Sequence, residues 1–288
     1  MLERFYSIAR HLIPKEHRPE IRRKLYDLQD LVGFGIPNLV RYGKFDMFQW
    51  VNFELNGNCN WNKCWYCPNS ITAGRKGIMN DEVFNAMITQ LSEIGRTGFQ
   101  GTMTPTFFGE PTIYGERLVE KVQLTRKCLP RAKIIIQTNG ILLTEDLYKS
   151  LVLAGVDRFI ITRHPGAPID NLNCLLANLS DQEKQRRIID RTLDDIKLWD
   201  RQLYIKIPPD RVLHLQRCPL PSSQLTIAFN GEVLFCCSNF DANPVFGNIM
   251  GRSITEIWED KKFKTERDNT RRGIFSLPSC KICMGKWE

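Results

Sequence analysis

The segment VNFELNGNCNWNKCWYC, residues 51–67, joins a short strand pattern to three closely spaced cysteines. VNFEL predicts a strand, and Cys59, Cys64 and Cys67 follow it in a loop. Structural zinc usually fills four positions with cysteine or histidine, and no histidine lies near these thiols. Three thiolates on a four-iron cubane would instead leave one iron open to an outside ligand. The segment therefore predicts an iron–sulfur site at the end of the first strand.

Strand and helix patterns alternate after this segment. The predicted elements are strands at 102–108, 133–138, 158–162 and 203–207, and helices at about 81–94, at about 114–128, after Thr144 and, as one long helix, after the fourth strand. A capping-box pattern from Ser180 to Glu183 indicates a helix start in that last stretch. The alternation predicts a parallel α/β sheet, open or closed into a barrel. Ligands gather at the carboxyl ends of such strands.

A smaller C-terminal unit is predicted after Pro208-Pro209 and the loop to about Arg217. LTIAF and EVLFCC flank an Asn230-Gly231 turn and predict a hairpin, and a capping box at Ser253 predicts a helix. The unit also carries four thiols whose spacing alone fits a zinc ribbon as well as an iron–sulfur site. These thiols are Cys218, Cys236, Cys280 and Cys283.

Composition excludes several classes of protein. With 288 residues, 42% of them apolar and 25% charged, the chain is expected to fold compactly, and its ten cysteines are too clustered for a disulfide framework. No apolar run is long enough for a membrane span and no signal peptide is evident, so a soluble, cytoplasmic protein is predicted. The net charge is +8, but the basic residues are not interleaved with aromatic residues that could stack on bases. Nucleic acid is therefore not an expected partner.

The first 46 residues are expected to be an extension to the main fold. Apolar residues from Leu2 to Ile13 recur at helical spacing before Pro14. Packing of this stripe against the main fold is favoured over contact with a membrane surface, which a basic amphipathic helix can also make.

The cysteine segment resembles the radical S-adenosylmethionine (radical SAM) family. That family carries C-x3-C-x2-C after the first strand of a partial (βα)6 barrel, with an aromatic residue before the last cysteine. Tyr66 occupies the aromatic position here, and the first gap holds four residues. FFGEP at 107–111 looks like the family's G-G-E-P segment, with Phe108 in place of the first glycine. QTNG at 137–140 is similar to the family's T-N-G.

The resemblance implies two cofactors, a [4Fe–4S] cluster and S-adenosylmethionine. Cys59, Cys64 and Cys67 would bind the cluster, and Gly109 and Glu110 would hold the methionyl amino group. The other expected cofactor contacts are Tyr66, Thr138, Asn139, Thr162 for the ribose and Arg163 for the carboxylate.

The C-terminal pattern is similar to the SPASM/twitch extension of the same family. Four ligands fit the shorter twitch form, with one auxiliary [4Fe–4S] cluster on Cys218, Cys236, Cys280 and Cys283. Cys236 is favoured over Cys237 by its spacing from Gly231. The resemblance divides the chain into a helical extension at 1–47, a partial TIM-like barrel at 48–210 and a small α+β twitch domain at 211–288.

The implied reaction is reductive cleavage of S-adenosylmethionine to a 5′-deoxyadenosyl radical, which removes a hydrogen atom from a substrate. Oxidation of a sugar or aminocyclitol alcohol is expected, with the auxiliary cluster accepting an electron. A flavodoxin or ferredoxin would supply the reducing electron. Lys206 is a candidate substrate contact.

Three alternatives remain open from the sequence. A peptide maturase would form a thioether or carbon–carbon crosslink. An epimerase would use a thiol such as Cys174, expected in a loop after the fourth strand, as hydrogen-atom donor. A non-enzymatic zinc protein that binds nucleic acid would account for the C-terminal thiols but not for the segment that ends in Glu110.

Overall fold

The computed structural model describes residues 13–71, 76–196, 198 and 216–284. Three sequence predictions lie outside these ranges. They are most of the N-terminal apolar stripe, the strand at 203–207 with Lys206, and the boundary at Pro208-Pro209.

One mixed sheet organises the described residues, with the strand order β5-β4-β3-β2-β1-β6-β7-β8. Strands β5 to β1 and β6 run parallel, and β6, β7 and β8 pair antiparallel. The strands are β1 Trp50–Phe53, β2 Thr102–Thr104, β3 Lys133–Thr138, β4 Arg158–Arg163, β5 Ile188–Thr192, β6 Gln224–Ile227, β7 Glu232–Leu234 and β8 Val245–Asn248.

Helices cover the sheet and connect its strands. In chain order they are α1 Arg18–Asp30, α2 Ile36–Tyr42, α3 Pro68–Ile71, α4 Asp81–Ser92, α5 Glu116–Cys128, α6 Glu145–Ala154, α7 Asp170–Asn178, α8 Asp181–Arg187, α9 Leu220–Ser223, α10 Ile254–Trp258, α11 Lys261–Arg271 and α12 Pro278–Cys283. A π-helical turn, Leu31–Gly35, joins α1 to α2. Shorter 3-10 turns occur at Lys15–His17, Pro111–Tyr114 and Leu193–Asp195.

Local sequence explains where several of these elements begin. The side chain of Asn80 accepts a 2.8 Å hydrogen bond from the N–H of Val83 and caps α4. Thr144 caps α6 in the same way, and Ser253 and Glu256 form a complete capping box at α10. These helix starts agree with the sequence predictions.

The hydrophobic core lies between the parallel strands and their helices. Val51 and Phe53 of β1 pack with Phe84, Met87 and Leu91 of α4, and all five side chains are buried. Strand β3 has three consecutive isoleucines, as expected for a strand covered on both faces. The sheet does not close, so the partial-barrel fold expected from the sequence is confirmed.

Two predicted elements differ from the structure. The long helix expected after β4 is wrong, because α7 and α8 are short helices followed by the fifth parallel strand, Ile188–Thr192. This strand pairs with β4 along its whole length, and that long-range pairing outweighs the helical pattern of its sequence. The strand predicted at 102–108 ends at Thr104, because Pro105 has no N–H for a ladder.

The C-terminal hairpin continues the barrel sheet. Strand β6 pairs parallel with β1, from Trp50 opposite Gln224 to Phe53 opposite Ile227. The loops after β1 and β6 therefore leave the same edge of the sheet. No helix among the described residues has the length and apolar character needed to cross a membrane.

Candidate active site

The first three cysteines lie in the loop that leaves the carboxyl end of β1. Cys64 is 7% exposed, and Cys59 and Cys67 are half-buried. The N–H of Cys67 donates to the carbonyl of Cys64 at 3.1 Å, so a tight turn brings these two residues together. The pKa of Cys64 is raised to about 12, chiefly by burial, with a hydrogen bond from Tyr66 lowering it and the nearby Cys67 and Cys59 raising it. The three thiols thus form one electrostatically coupled group.

This donor set fits an iron–sulfur cluster. Burial also raises the pKa of Cys59, so Cys59 and Cys64 need a cation to hold them as thiolates, and iron would supply it. Among the described residues, no three acidic, histidine or cysteine side chains converge as they would around a single metal ion. A cubane does not require that arrangement, because each thiolate binds a different iron.

Gly109 permits a close approach between the loops after β1 and β2. A Cβ atom at this position would lie 1.7 Å from the carbonyl oxygen of Asn56, so no other residue fits without a backbone shift. The N–H of Glu110 donates to Asn58 O at 2.8 Å, and Asn56 Nδ2 donates to Glu110 O at 3.0 Å. The cysteine loop is therefore tied to the segment that resembles G-G-E-P. The role of Asn56 was missed from sequence, because an asparagine in a loop carries no spacing signal.

Glu110 is a buried carboxylate, 3% exposed, that joins the ends of β2 and β3. Its Oε1 accepts from the hydroxyl groups of Thr112 at 2.6 Å and Thr138 at 2.7 Å, and its Oε2 accepts from the N–H of Asn139 at 2.8 Å. Burial raises the pKa of Glu110, and these hydrogen bonds lower it. Of the hydrogen bonds named here, Oε2 accepts only the one from the Asn139 N–H. It can therefore accept from a further donor, such as an ammonium group.

Asn139 connects this carboxylate to the cysteine loop. Its Nδ2 donates to Asn60 Oδ1 at 2.8 Å and lies 3.8 Å from the Sγ of Cys59. The backbone N–H of Asn139 thus binds Glu110, and its side chain lies beside Cys59. The sequence assigned Glu110 to S-adenosylmethionine and Cys59 to the cluster. The structure brings Cys59, Gly109, Glu110, Thr138 and Asn139 together.

Phe108 stands where the related family has its first glycine. Its ring lies 4.3 Å from that of Phe107 and 4.7 Å, edge to face, from that of Phe240 in the C-terminal unit. The carbonyl of Phe108 accepts from Asn69 Nδ2 at 3.1 Å. The larger residue therefore joins the barrel to the C-terminal unit through an aromatic contact.

Tyr66 connects the cysteine loop to β4. Its hydroxyl group is hydrogen-bonded to Nδ1 of His164, the residue that follows β4. Tyr66 and Cys64 also pack with Leu193 and Leu198 in a small buried apolar cluster. Burial lowers the pKa of His164, and the positive charge of Arg191 lowers it further, so this imidazole is neutral near pH 7.

Two arginines near the end of β4 occupy different sides of the sheet. Arg163 shares a face with the buried Phe159 and Ile161, and forms an ion pair of 2.7 Å with Asp190. Arg191 of β5 lies opposite Thr162 and donates from Nε to the Thr162 hydroxyl at 3.0 Å. Arg163 is therefore directed to the helical side and also contacts Asn173 of α7. Arg191, absent from the sequence predictions, lies on the side of Thr162.

The loop position predicted for Cys174 is wrong. Cys174 lies within α7 and is exposed, while its neighbours Leu172 and Leu175 face the core. The helical period separates the exposed thiol from the buried face.

A second group of cysteines lines one cavity in the C-terminal unit. Cys236 follows β7, Cys280 and Cys283 lie one helical turn apart on α12, and Cys218 precedes α9. Burial raises the pKa of Cys218 to about 11 and that of Cys280 to about 12. Burial also raises the pKa of Cys236, which Cys237, Cys280, Cys218 and Cys283 all raise further. Four thiols around one cavity suit an iron–sulfur cluster, in which each thiolate binds a different iron.

Cys236 and Cys237 differ in their relation to this cavity. The cavity lining contains Cys236, whereas the charge of Cys237 acts on both Cys218 and Cys236. The lining is the more direct evidence, because a charge acts through space without a thiol facing the cavity. The N–H of Ser238 also donates to the sulfur of Cys236 at 3.4 Å, as donors around cluster thiolates do.

Comparisons with known proteins agree with both groups of cysteines. Residues 53–164 match the family model of the radical SAM superfamily, and residues 218–284 match the SPASM iron–sulfur cluster-binding domain. The first range contains Cys59, Cys64, Cys67 and Glu110, and the second contains the four thiols of the C-terminal cavity.

One curated relative is the S-adenosyl-L-methionine-dependent 2-deoxy-scyllo-inosamine dehydrogenase of Niallia circulans. It is 31% identical over 239 residues, which are 82% of this chain and 93% of the relative. The crystal structure of BtrN in complex with AdoMet and 2-DOIA has a TM-score of 0.73 and 30% identity, and the match covers 83% of this chain and 92% of BtrN. An open conformation of BtrN has a TM-score of 0.64 and 29% identity, over 82% of this chain and 92% of BtrN.

Proposed function

The chain belongs to the radical SAM superfamily and is a radical SAM enzyme with a C-terminal iron–sulfur domain, and from this premise we propose that it oxidises a hydroxyl group of an aminocyclitol or a related small polyol. The observation that carries this proposal is the similarity to the 2-deoxy-scyllo-inosamine dehydrogenase over 93% of that enzyme's length. The similarity covers 239 residues, more than either family-model match alone, so it is not confined to one of the two cysteine-bearing regions.

Under this proposal Cys59, Cys64 and Cys67 hold one [4Fe–4S] cluster, and Cys218, Cys236, Cys280 and Cys283 hold the auxiliary cluster. Oε2 of Glu110 accepts from the methionyl ammonium, and Asn139 keeps Glu110 and the cysteine loop in a fixed relation. When bound, these groups supply a 5′-deoxyadenosyl radical that takes a hydrogen atom from the substrate, and an acceptor for the electron that the substrate then loses.

Oxidation of an alcohol to a ketone removes one hydrogen atom from carbon, one proton from oxygen and one electron. The proton needs an acceptor, and we propose His164, the neutral imidazole that follows β4 and is hydrogen-bonded to Tyr66. When the Tyr66 hydroxyl donates to Cys64, it accepts from Nδ1–H of His164, and Nε2 of the same ring is then free to take a proton.

Arg191 and Thr162 are proposed to contact the substrate or the ribose. The guanidinium of Arg191 carries five donors and stays charged, so it suits the hydroxyl oxygens of a polyol. Its Nε bond to Thr162 fixes its direction. The sequence assigned Arg163 to the carboxylate of S-adenosylmethionine, but the ion pair with Asp190 directs Arg163 to the helical side, so we propose Arg191 as the arginine on the interior side instead.

A flavodoxin or ferredoxin remains our predicted electron donor. Trp65, beside Cys64, is 45% exposed, and Lys63 lies over the ring of Trp61 at 5.2 Å. An exposed aromatic residue and a cation next to the proposed cluster would suit the acidic surface of a small electron carrier.

The test is anaerobic turnover of 2-deoxy-scyllo-inosamine with deuterium at the carbon that bears the reacting hydroxyl. We expect transfer of the deuterium to 5′-deoxyadenosine and a product lighter by one hydrogen and one deuterium. The matched control is the Cys59→Ala variant, which should release no 5′-deoxyadenosine. A product with one hydrogen in place of the deuterium would indicate epimerisation, and 5′-deoxyadenosine release only with peptide substrates would indicate a maturase. Either result would overturn the proposed oxidation.

A further inference from the structure

The described N-terminal segment, residues 13–47, lies outside both family matches and packs against the C-terminal unit through ion pairs. Three of its aspartates pair with arginines of that unit, and Lys44 pairs in the opposite sense with Glu259. The aspartate pairs are Asp27 with Arg272 at 3.9 Å, Asp30 with Arg217 at 2.7 Å and Asp46 with Arg267 at 2.9 Å.

The pair between Asp30 and Arg217 is the most enclosed at both partners. Asp30 is 4% exposed, and the side chain of Arg217 is 13% exposed. Nη2 of Arg217 donates to Oε1 of Gln29 at 3.1 Å, and its guanidinium lies 4.1 Å from the ring centre of Tyr26. Helix α1 therefore surrounds Arg217 with a carboxylate, an amide and an aromatic face.

Arg217 directly precedes Cys218, one of the four thiols of the C-terminal cavity. The N–H of Cys218 donates to Thr270 O of α11 at 2.9 Å. The next residue of α11, Arg271, lies 3.4 Å from the same oxygen of Asp30 that binds Arg217. The carboxylate of Asp30 thus binds Arg217, which precedes Cys218, and Arg271 of α11. The same helix α11 accepts the hydrogen bond from the N–H of Cys218.

We propose that Asp30 is a positioning residue for the auxiliary cluster, which acts through Arg217 to hold Cys218 at the cavity. The inference rests on the proposed function, because it takes Cys218 as a cluster ligand. Removal of the carboxylate charge would leave two guanidinium groups close together and without their shared counter-ion. Their repulsion would move Arg217, and Cys218 would move with it. The N-terminal segment then has a defined role: it completes the support of one cluster ligand.

The experiment compares Asp30→Asn with Asp46→Asn in the full reconstituted protein. Both variants remove one carboxylate charge from the N-terminal segment, but Arg267, the partner of Asp46, is not adjacent to a cysteine. Iron release to a chelator is followed over time, and electron paramagnetic resonance distinguishes the two clusters. We expect Asp30→Asn to lose auxiliary-cluster iron about tenfold faster than the wild type, as other residues that support metal ligands do. Asp46→Asn and the conservative Asp30→Glu should retain that cluster.

Equal loss in Asp30→Asn and Asp46→Asn would overturn the inference, because the effect would then be general loosening of the segment. Equal loss of both clusters in Asp30→Asn, or no loss, would overturn it too. If Asp30→Asn does not fold by circular dichroism, Arg217→Lys replaces it; unchanged retention of auxiliary iron in that variant would overturn the inference. A wild type with only about four irons would instead overturn the proposed auxiliary cluster itself.

Discussion

The backbone N–H of Asn139 donates a 2.8 Å hydrogen bond to Oε2 of Glu110, although the two residues follow different strands of the sheet. The same Asn139 side chain lies 3.8 Å from the Sγ of Cys59, which follows a third strand. One buried carboxylate and one asparagine therefore fix the ends of β1, β2 and β3 relative to each other. This arrangement makes the proposed cofactor site sensitive to small changes in Glu110.

Glu110→Gln is expected to weaken S-adenosylmethionine binding by about tenfold or more, because a charged acceptor is lost and an amide group faces the Asn139 N–H. Equilibrium binding to the reconstituted protein measures the change, together with iron content to verify the first cluster. Glu116→Gln, at an exposed position at the start of α5, is the matched control. Equal affinity in Glu110→Gln and the wild type would contradict the assigned contact.

The stability of the unloaded protein should depend on pH through Glu110. Burial raises its pKa in the folded state, so above the unfolded pKa the folded chain holds more protons than the unfolded chain. The free energy of unfolding of the wild type should therefore fall, relative to Glu110→Gln, as pH rises from the unfolded pKa to the folded pKa. Chemical denaturation at several pH values measures this difference. A difference that stays constant or grows with pH would contradict the predicted direction.

Gly109→Ala should disrupt the site, because its Cβ would lie 1.7 Å from Asn56 O. We expect a loss of about 2 kcal/mol or more in the free energy of unfolding, with weaker S-adenosylmethionine binding. Gly33→Ala is the control, since no atom lies within 4 Å of the added Cβ. Denaturation and binding measurements should show a change in the first variant and little in the second.

Cys236→Ser and Cys237→Ser should differ in iron content. The cavity is lined by Cys236, so we expect about four irons in Cys236→Ser and about eight in Cys237→Ser. Iron and sulfide analysis after anaerobic reconstitution measures both. The opposite result would assign the ligand to Cys237.

Arg191→Met should lower kcat/KM by about 10- to 100-fold, because it removes charged donors from the interior side of β5. Arg163→Met is the matched control, because its ion pair with Asp190 lies on the helical side of the sheet. That control should keep turnover and change stability by about 1 kcal/mol or less. Greater loss of turnover in Arg163→Met than in Arg191→Met would reverse the assignment of the two arginines.

Features that depend on neighbouring residues were predicted well from the sequence. The family, the partial-barrel fold and the presence of two iron–sulfur sites are confirmed. Helix starts at Asn80, Thr144 and Ser253 depend on contacts with backbone N–H groups three residues away. The individual site residues remain predictions, and the structure supports several of them through the contacts of Glu110 and Asn139.

Features that depend on strand pairing were not predictable. Strand β5 forms where a helix was expected, because its stability comes from pairing with β4. The opposite directions of Arg163 and Arg191 follow from the register of that pair. Helix α7, which contains Cys174, begins without a side-chain cap at Ile169, so its start carries no sequence signal.

Spacing along the chain thus determined the chemistry of the first site, because Cys59, Cys64 and Cys67 lie within nine residues of one loop. Tertiary structure alone decided which distant residues support each site. Asp30 and Arg217 are separated by 187 residues, and no local pattern predicts their ion pair. Such contacts form only when packing brings distant segments together, because the entropy of closing so long a loop must be offset by the whole core.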